Sequence, residues 1–252
     1  MPPLRSNDTL KTILREYFQS FFADPAPKVA WCSSVGPSEI LTAFGYKVFF
    51  PENHGALLGV SRQANKFMPV AHARGYSPDI CSYLTSDIGA FLAGETPLTR
   101  AYGIPSIPPP DLIVYNTNQC HEVQDWFSFY ARHFDVPCLG ISSPSAVGPM
   151  GEPHVGAVAA QLETLIGDIE AVNHTRLDRD RLREVVGLSA RCSELWGRFL
   201  RSAQAKPSPI TFFDGCIQMA PAVMLRGEAV AVEYYELLNA EIDERVAAGV
   251  GA

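Results

Sequence analysis

Four short apolar runs, VAWC (Val29–Cys32), YKVFF (46–50), DLIVY (111–115) and VPCLGI (136–141), alternate along this chain with segments of helical period. That alternation constrains the fold more than any other feature. Strands separated by helices cannot return through tight hairpins, so they pair in parallel through right-handed crossovers. The expected class is α/β, a Rossmann-like parallel sheet flanked by helices. In such sheets ligands bind beyond the carboxyl ends of the strands.

The helical segments carry their own signals. Residues 9–22 place Leu10, Ile13, Leu14, Tyr17, Phe18, Phe21 and Phe22 at helical spacing, with Asp8 as N-cap. After the loop SSVGP, Pro37 stands at a first helical position and opens SEILTAF, which closes on Gly45. A further helix spans Glu122–Phe134. Beyond residue 155 the pattern is purely helical over 155–173, 178–203 and 227–248, which predicts an added C-terminal helical hairpin. Residues 1–150 therefore read as an α/β lobe with an N-terminal helix, and 151–252 as a helical region packing on that lobe or on a partner. IPSIPPP at 104–110 reads as an extended connector.

Composition narrows the function classes. The chain has 252 residues, 47% hydrophobic and 19% charged, which is globular composition. A net charge of −7 with no Lys/Arg cluster argues against nucleic acid or an anionic membrane as partner. Charges at Arg5, Asp8, Lys11, Arg15 and Glu16 break up any signal peptide, and no run approaches the ~20 apolar residues of a membrane span. The expected location is cytoplasmic, where six cysteines are mostly reduced.

Two of those cysteines stand apart. Cys120 follows the strand DLIVY and precedes the helix HEVQDWFSFYARHF; Cys81 follows SPDI and begins CSYLTSDIGAFLAG. Both fall at helix starts, where free N–H groups and the helix dipole favour a thiolate. The dipole is worth only about 0.3–1 kcal/mol, so a thiolate here needs a metal, which deprotonates a coordinating thiol outright. Their spacing lacks the compact pattern of a zinc ribbon or ferredoxin. Chemistry alone leaves ligation and simple packing both open. Cys32 ends a strand, Cys138 reads as core, Cys192 shares an apolar helical face with Leu195 and Phe199, and Cys216 has no assignable period.

Glu52 and His54, in PENHG, follow the second strand, where Glu52 suits a general acid or base or a solvated loop. His121 adjoins Cys120 as a possible ligand or as an exposed first-turn residue. No G-x-G-x-x-G, Walker-type or G-x-S-x-G motif appears in a fitting context, which argues against a dinucleotide site, a P-loop and a serine hydrolase.

The order VAWCSSVGPSEILTAFGYKVFFPEN, SPDICSYLTSDIGAFL, PPDLIVYNTNQCHEVQDWF and IQMAPAVMLRGEAVAVEYYELLNAEIDERVAAGVG resembles the benzoyl-CoA reductase and 2-hydroxyacyl-CoA dehydratase family. MAPAVMLRG and YYELLNAEIDERV look closer to the benzoyl-CoA reductase branch. The resemblance implies an oxygen-sensitive iron–sulfur subunit holding a [4Fe-4S] cluster through three cysteines, with Cys81 and Cys120 at the first two ligand positions. It implies a homologous second subunit and an ATP-hydrolysing activator that donates single electrons. Its substrate is an acyl-CoA, reduced or dehydrated through a ketyl-type radical. Ser33, Ser34 and Glu52 match segments lining the substrate pocket. The third cysteine of that pattern belongs to a second α/β lobe, with no matching motif here, so an incomplete site or a cluster-free scaffolding lobe is also expected.

Overall fold

The computed structural model describes residues 2–144 and 149–251. The chain divides into two compact units, one from residues 19–177 and one from its two ends, 1–18 and 178–252. Helix α1 (Ser6–Ser20) begins earlier than its apolar period implies. Asp8 lies inside its first turn and bonds Lys11 Nζ at 2.8 Å, so it does not act as the N-cap.

The central unit runs β1 (Val29–Cys32), α2 (Ser38–Ala43), β2 (Lys47–Phe49), α3 (Pro51–Val60), α4 (Ala64–His72), α5 (Ser82–Ala93), α6 (Pro97–Tyr102), β3 (Leu112–Asn116), α7 (Glu122–Phe134), β4 (Cys138–Ile141) and α8 (Glu152–Asn173). The strands form one parallel sheet in the order β2-β1-β3-β4, as the alternation predicts. Ala30 stands between Val48 and Leu112, and Ile113 beside Cys138. The chain leaves β1 on one side towards β2 and returns on the other to β3. The boundary between β1 and β3 is therefore the topological switch point of the sheet, the place where ligands bind in α/β folds of this kind.

Three local features go beyond or against the sequence pattern. PENHG is the first turn of α3, because Pro51 occupies the first helical position, where its fixed φ and missing N–H cost nothing. Helix α4 escapes the periodicity because it carries Pro69 in its interior. Cys138 is half-buried at the start of the edge strand β4, not in the core.

Trp31 on β1 is fully buried and holds the aromatic core, with ring centroids 4.6 Å from Tyr130, 5.2 Å from Phe49 and 5.7 Å from Phe134. Its indole N–H donates to the Pro108 carbonyl at 2.9 Å, anchoring the proline-rich connector. Helices α4 and α5 pack backbone to backbone at Gly89, where an added Cβ would lie 2.1 Å from the Phe67 carbonyl oxygen.

The second unit contains α9 (Arg179–Arg201), a 3-10 turn (Ser202–Gln204), α10 (Phe212–Gln218), α11 (Ala220–Met224) and α12 (Ala229–Ala247). Asp178 caps α9 by accepting from the Asp180 and Arg181 N–H groups at 2.9 and 3.0 Å. Helix α9 buries Val185, Cys192, Leu195 and Phe199 and packs with α12, which buries Tyr235, Leu238 and Ile242. Among the described residues, no helix is long and apolar enough to cross a membrane.

Candidate functional site

The carboxyl ends of the strands gather most of the residues singled out by sequence. Beyond β1, the Ser33 N–H still bonds the Val114 carbonyl at 3.1 Å, after which the chain turns sharply at Gly36. A Cβ on Gly36 would stand 2.7 Å from both Cys32 Sγ and Ser33 Oγ, so only glycine fits. Ser33 is buried, and its hydroxyl accepts the Asn116 N–H at 3.0 Å. It ties two loops together.

Ser34, one residue on, is half-buried, and its backbone N–H donates to the Glu52 carboxylate. Its hydroxyl reaches Asn53 Oδ1 at 3.4 Å. Glu52 lies in the first turn of α3, where the positive helix end stabilises a carboxylate. Burial nevertheless pushes its pKa above the ordinary glutamate value, and the Ser34 hydrogen bonds only partly oppose that rise. A proton-exchanging carboxyl held by a backbone donor is suited to general acid–base chemistry.

Asn116, at the end of β3, had no sequence signal and proves to be a junction. Its Oδ1 accepts from the Asn118 N–H and the Ser143 hydroxyl, each at 3.1 Å, and its Nδ2 donates to the Val35 carbonyl at 3.4 Å. One buried amide thus joins the loops after β1, β3 and β4, and Cys120 lies on the loop that Asn116 begins.

Cys81 is the N-cap of α5, and its thiol makes no capping hydrogen bond. Its carbonyl accepts the Thr85 N–H at 3.1 Å, while its own N–H donates to Glu122 Oε1 at 3.4 Å. Glu122 opens α7 two residues after Cys120, so the structure brings the two cysteine-bearing helix starts together. Both cysteines are half-buried, and His121 beside them is exposed. Among the described residues, no three His, Cys, Asp or Glu side chains are grouped to hold a metal. Cys81 and Cys120 stand on adjoining helix starts with no third donor grouped beside them among the described residues. Cys32 is buried, as is Cys192, whose thiol burial pushes up to about 11. Cys216 is exposed.

His54 does not join Glu52. It is 2% exposed and points into the unit, with Nδ1 2.5 Å from Asp87 Oδ1 and Nε2 2.8 Å from Thr96 Oγ1. Asp87, 1% exposed, accepts through its other oxygen from Trp126 Nε1 at 2.8 Å and the Tyr130 hydroxyl at 2.5 Å. Burial, followed by the Asp87 charge, pushes the Tyr130 pKa far up, so the phenol stays a donor. A cavity of about 270 Å³ opens nearby, lined by Phe91, Thr96, Ile107, Pro109 and Phe134. It runs from His54 to the C-terminal ends of α5 and α7, and neither Cys81 nor Cys120 lines it.

Comparison with known proteins gives this arrangement relatives. The family model described as 2-hydroxyglutaryl-CoA dehydratase, D-component, matches residues 33–252. The chain is 30% identical over 223 residues to the (R)-phenyllactyl-CoA dehydratase alpha subunit of Clostridium sporogenes, covering 88% of this chain and 53% of that subunit. It is 31% identical over 218 residues to one of the benzoyl-CoA reductase subunits of Thauera aromatica, covering 85% and 50%. With the (R)-2-hydroxyisocaproyl-CoA dehydratase alpha subunit of Clostridioides difficile the identity is 26% over 240 residues, covering 94% and 57%. The chain spans about half the length of these curated relatives.

Proposed function

The chain belongs to the 2-hydroxyglutaryl-CoA dehydratase D-component family, and we propose that it is a cluster-holding subunit of an enzyme acting on acyl-CoA thioesters. The observation that carries this reading is the meeting of the two cysteine-bearing helix starts through Cys81 and Glu122. In it, Cys81 and Cys120 each contribute a thiolate to a [4Fe-4S] cluster, and donors outside these 252 residues complete it. A bound cluster supplies single-electron transfer to the thioester. The chain's own residues do the rest.

The 33–36 loop forms one wall of the crevice, held by Ser33 and Asn116. Glu52, oriented by the Ser34 N–H, exchanges a proton with the acyl chain; its raised pKa keeps it protonated to higher pH than a free glutamate. The partners are a homologous second subunit and an ATP-hydrolysing electron donor, and oxygen is excluded. Reduction of an aromatic acyl-CoA, as in benzoyl-CoA reductase, is the leading reaction, with 2-hydroxyacyl-CoA dehydration beside it. The test is anaerobic co-expression with the companion subunit, iron and sulfide counts, and turnover of benzoyl-CoA against 2-hydroxyacyl-CoA thioesters with the activator present. Cys81→Ser and Cys120→Ser should each lower bound iron and abolish turnover. An assembled wild-type complex that binds no iron would sink the reading.

A second reading, a cluster-free scaffolding lobe, draws on the lack of any three-donor group among the described residues. It predicts full complex activity for both serine variants.

A further inference from the structure

Asp87 lies in the interior of α5, and the three groups it binds come from two other helices: His54 from α3, and Trp126 and Tyr130 from α7. These three helices carry the candidate site. Glu52 is in the first turn of α3, Cys81 caps α5, and Cys120 lies two residues before α7. We infer that Asp87 is the positioning residue that sets the mutual placement of Glu52, Cys81 and Cys120.

Among the described residues, the hydrogen bond recorded between the starts of α5 and α7 is the 3.4 Å one from Cys81 N–H to Glu122, too long to fix an angle by itself. Asp87 stands in the second turn of α5, and all three of its donors lie within the first three turns of their own helices. The carboxylate is thus a pin near the cysteine-bearing ends. Charge-assisted bonds to a buried carboxylate are short and directional, and each of the three donors is itself buried, so none can turn to water instead. A site whose ligands come from separate helices loses function when its supporting contacts slacken by about 1 Å, and a shared acceptor prevents that. The bearing of this placement on catalysis rests on the proposed roles of the two cysteines; the placement itself does not.

The test measures placement directly, without iron. Spin labels go on Cys81 and Cys120 of the full chain carrying Cys138→Ser and Cys216→Ser, leaving only the buried Cys32 and Cys192 unlabelled. A control pair, Thr42→Cys in α2 and Val172→Cys in α8, is labelled after Cys81 and Cys120 are also replaced by serine. Asp87→Ala should broaden the Cys81–Cys120 distance distribution by roughly 1 Å and leave the control pair unchanged. Asp87→Asn should restore most of the narrow distribution, since its amide offers an oxygen to Trp126 and Tyr130 and an N–H to His54 in the opposite tautomer. If Asp87→Ala does not fold, the variant Trp126→Phe/Tyr130→Phe, which frees α7 alone, should show the same broadening. A folded variant with an unchanged distribution, or equal broadening in both pairs, overturns the inference. A rigid pair in an assembled complex that takes up no iron would overturn the proposed function and leave this placement standing.

Discussion

The Cys81 N–H donates to Glu122 Oε1 at 3.4 Å, across 41 residues of sequence, and so joins the starts of α5 and α7. The bond closes two helix N-termini onto each other, an arrangement that repels unless an anion lies between them. Glu122 is that anion.

Removing the anion should loosen Cys81 without unfolding the chain. Glu122→Ala is expected to raise the alkylation rate of Cys81 by iodoacetamide several-fold, while Glu122→Gln, which keeps an acceptor oxygen, raises it little. The stability change should stay near the ~0.5–1.5 kcal/mol of one hydrogen bond. Peptide mapping of the labelled chain gives the rate. Equal rates in all three proteins would show that the contact holds nothing in place.

Asn116 should matter more for stability. Asn116→Ala deprives the Asn118 N–H and the Ser143 hydroxyl of their acceptor and the Val35 carbonyl of its donor. A loss of about 1–3 kcal/mol is expected, seen as a lower urea midpoint with an unchanged slope. Asn116→Asp keeps the acceptor and should recover part of it.

The contrast between Asp87 and Cys120 explains what the sequence could disclose. Cys120 was legible because a strand, a short loop and a helix start follow one another, so local pattern alone places it at a carboxyl end. The parallel sheet was legible for the same reason. Asp87 was not: it interrupts the apolar stretch SYLTSDIGAFL, and its donors lie 33, 39 and 43 residues away, beyond any periodicity. For Glu52 the sequence leaves a functional carboxyl and a solvated loop residue both open, because proline and asparagine after a strand resemble turn chemistry until Pro51 is recognised as a first helical residue. His54 faces the interior because it lies two residues beyond Glu52 around the same helical turn. The short helices α10 and α11 stayed hidden because neither completes two turns of period.

Gly89 tests the packing beneath the site. With a Cβ 2.1 Å from the Phe67 carbonyl oxygen, Gly89→Ala forces α4 and α5 apart, although alanine is the better helix former. The expected net loss is about 1–3 kcal/mol, measured by thermal or urea unfolding. A stabilised variant would mean the two helices do not approach as closely as this.

Thiol reactivity should follow exposure. Cys216 is exposed, Cys81, Cys120 and Cys138 are half-buried, and Cys32 and Cys192 are buried. Burial raises the Cys138 thiol as well as that of Cys192. Under mildly alkaline conditions a disulfide reagent should modify Cys216 first, Cys81 and Cys120 ahead of Cys138, and Cys32 and Cys192 only on unfolding. Fast labelling of Cys192 in the folded chain would contradict its burial against α12.

Glu52 gives the stability of the chain a particular dependence on pH. Its folded pKa lies above the ordinary value of 4.5, because burial outweighs the Ser34 hydrogen bonds. Between those two values the folded chain binds more protons than the unfolded one, so stability falls as pH rises. The contribution is therefore complete below 4.5 and is lost as pH climbs through the folded pKa. Glu52→Gln cannot ionise, yet its amide oxygen can still accept the Ser34 N–H. Its stability relative to wild type should rise from pH 4.5 and level off once pH passes the folded pKa of Glu52, read as a growing and then constant difference in urea midpoints. Parallel curves for the two proteins would mean that Glu52 is solvated, and would remove the physical ground for its role as a proton-exchanging group.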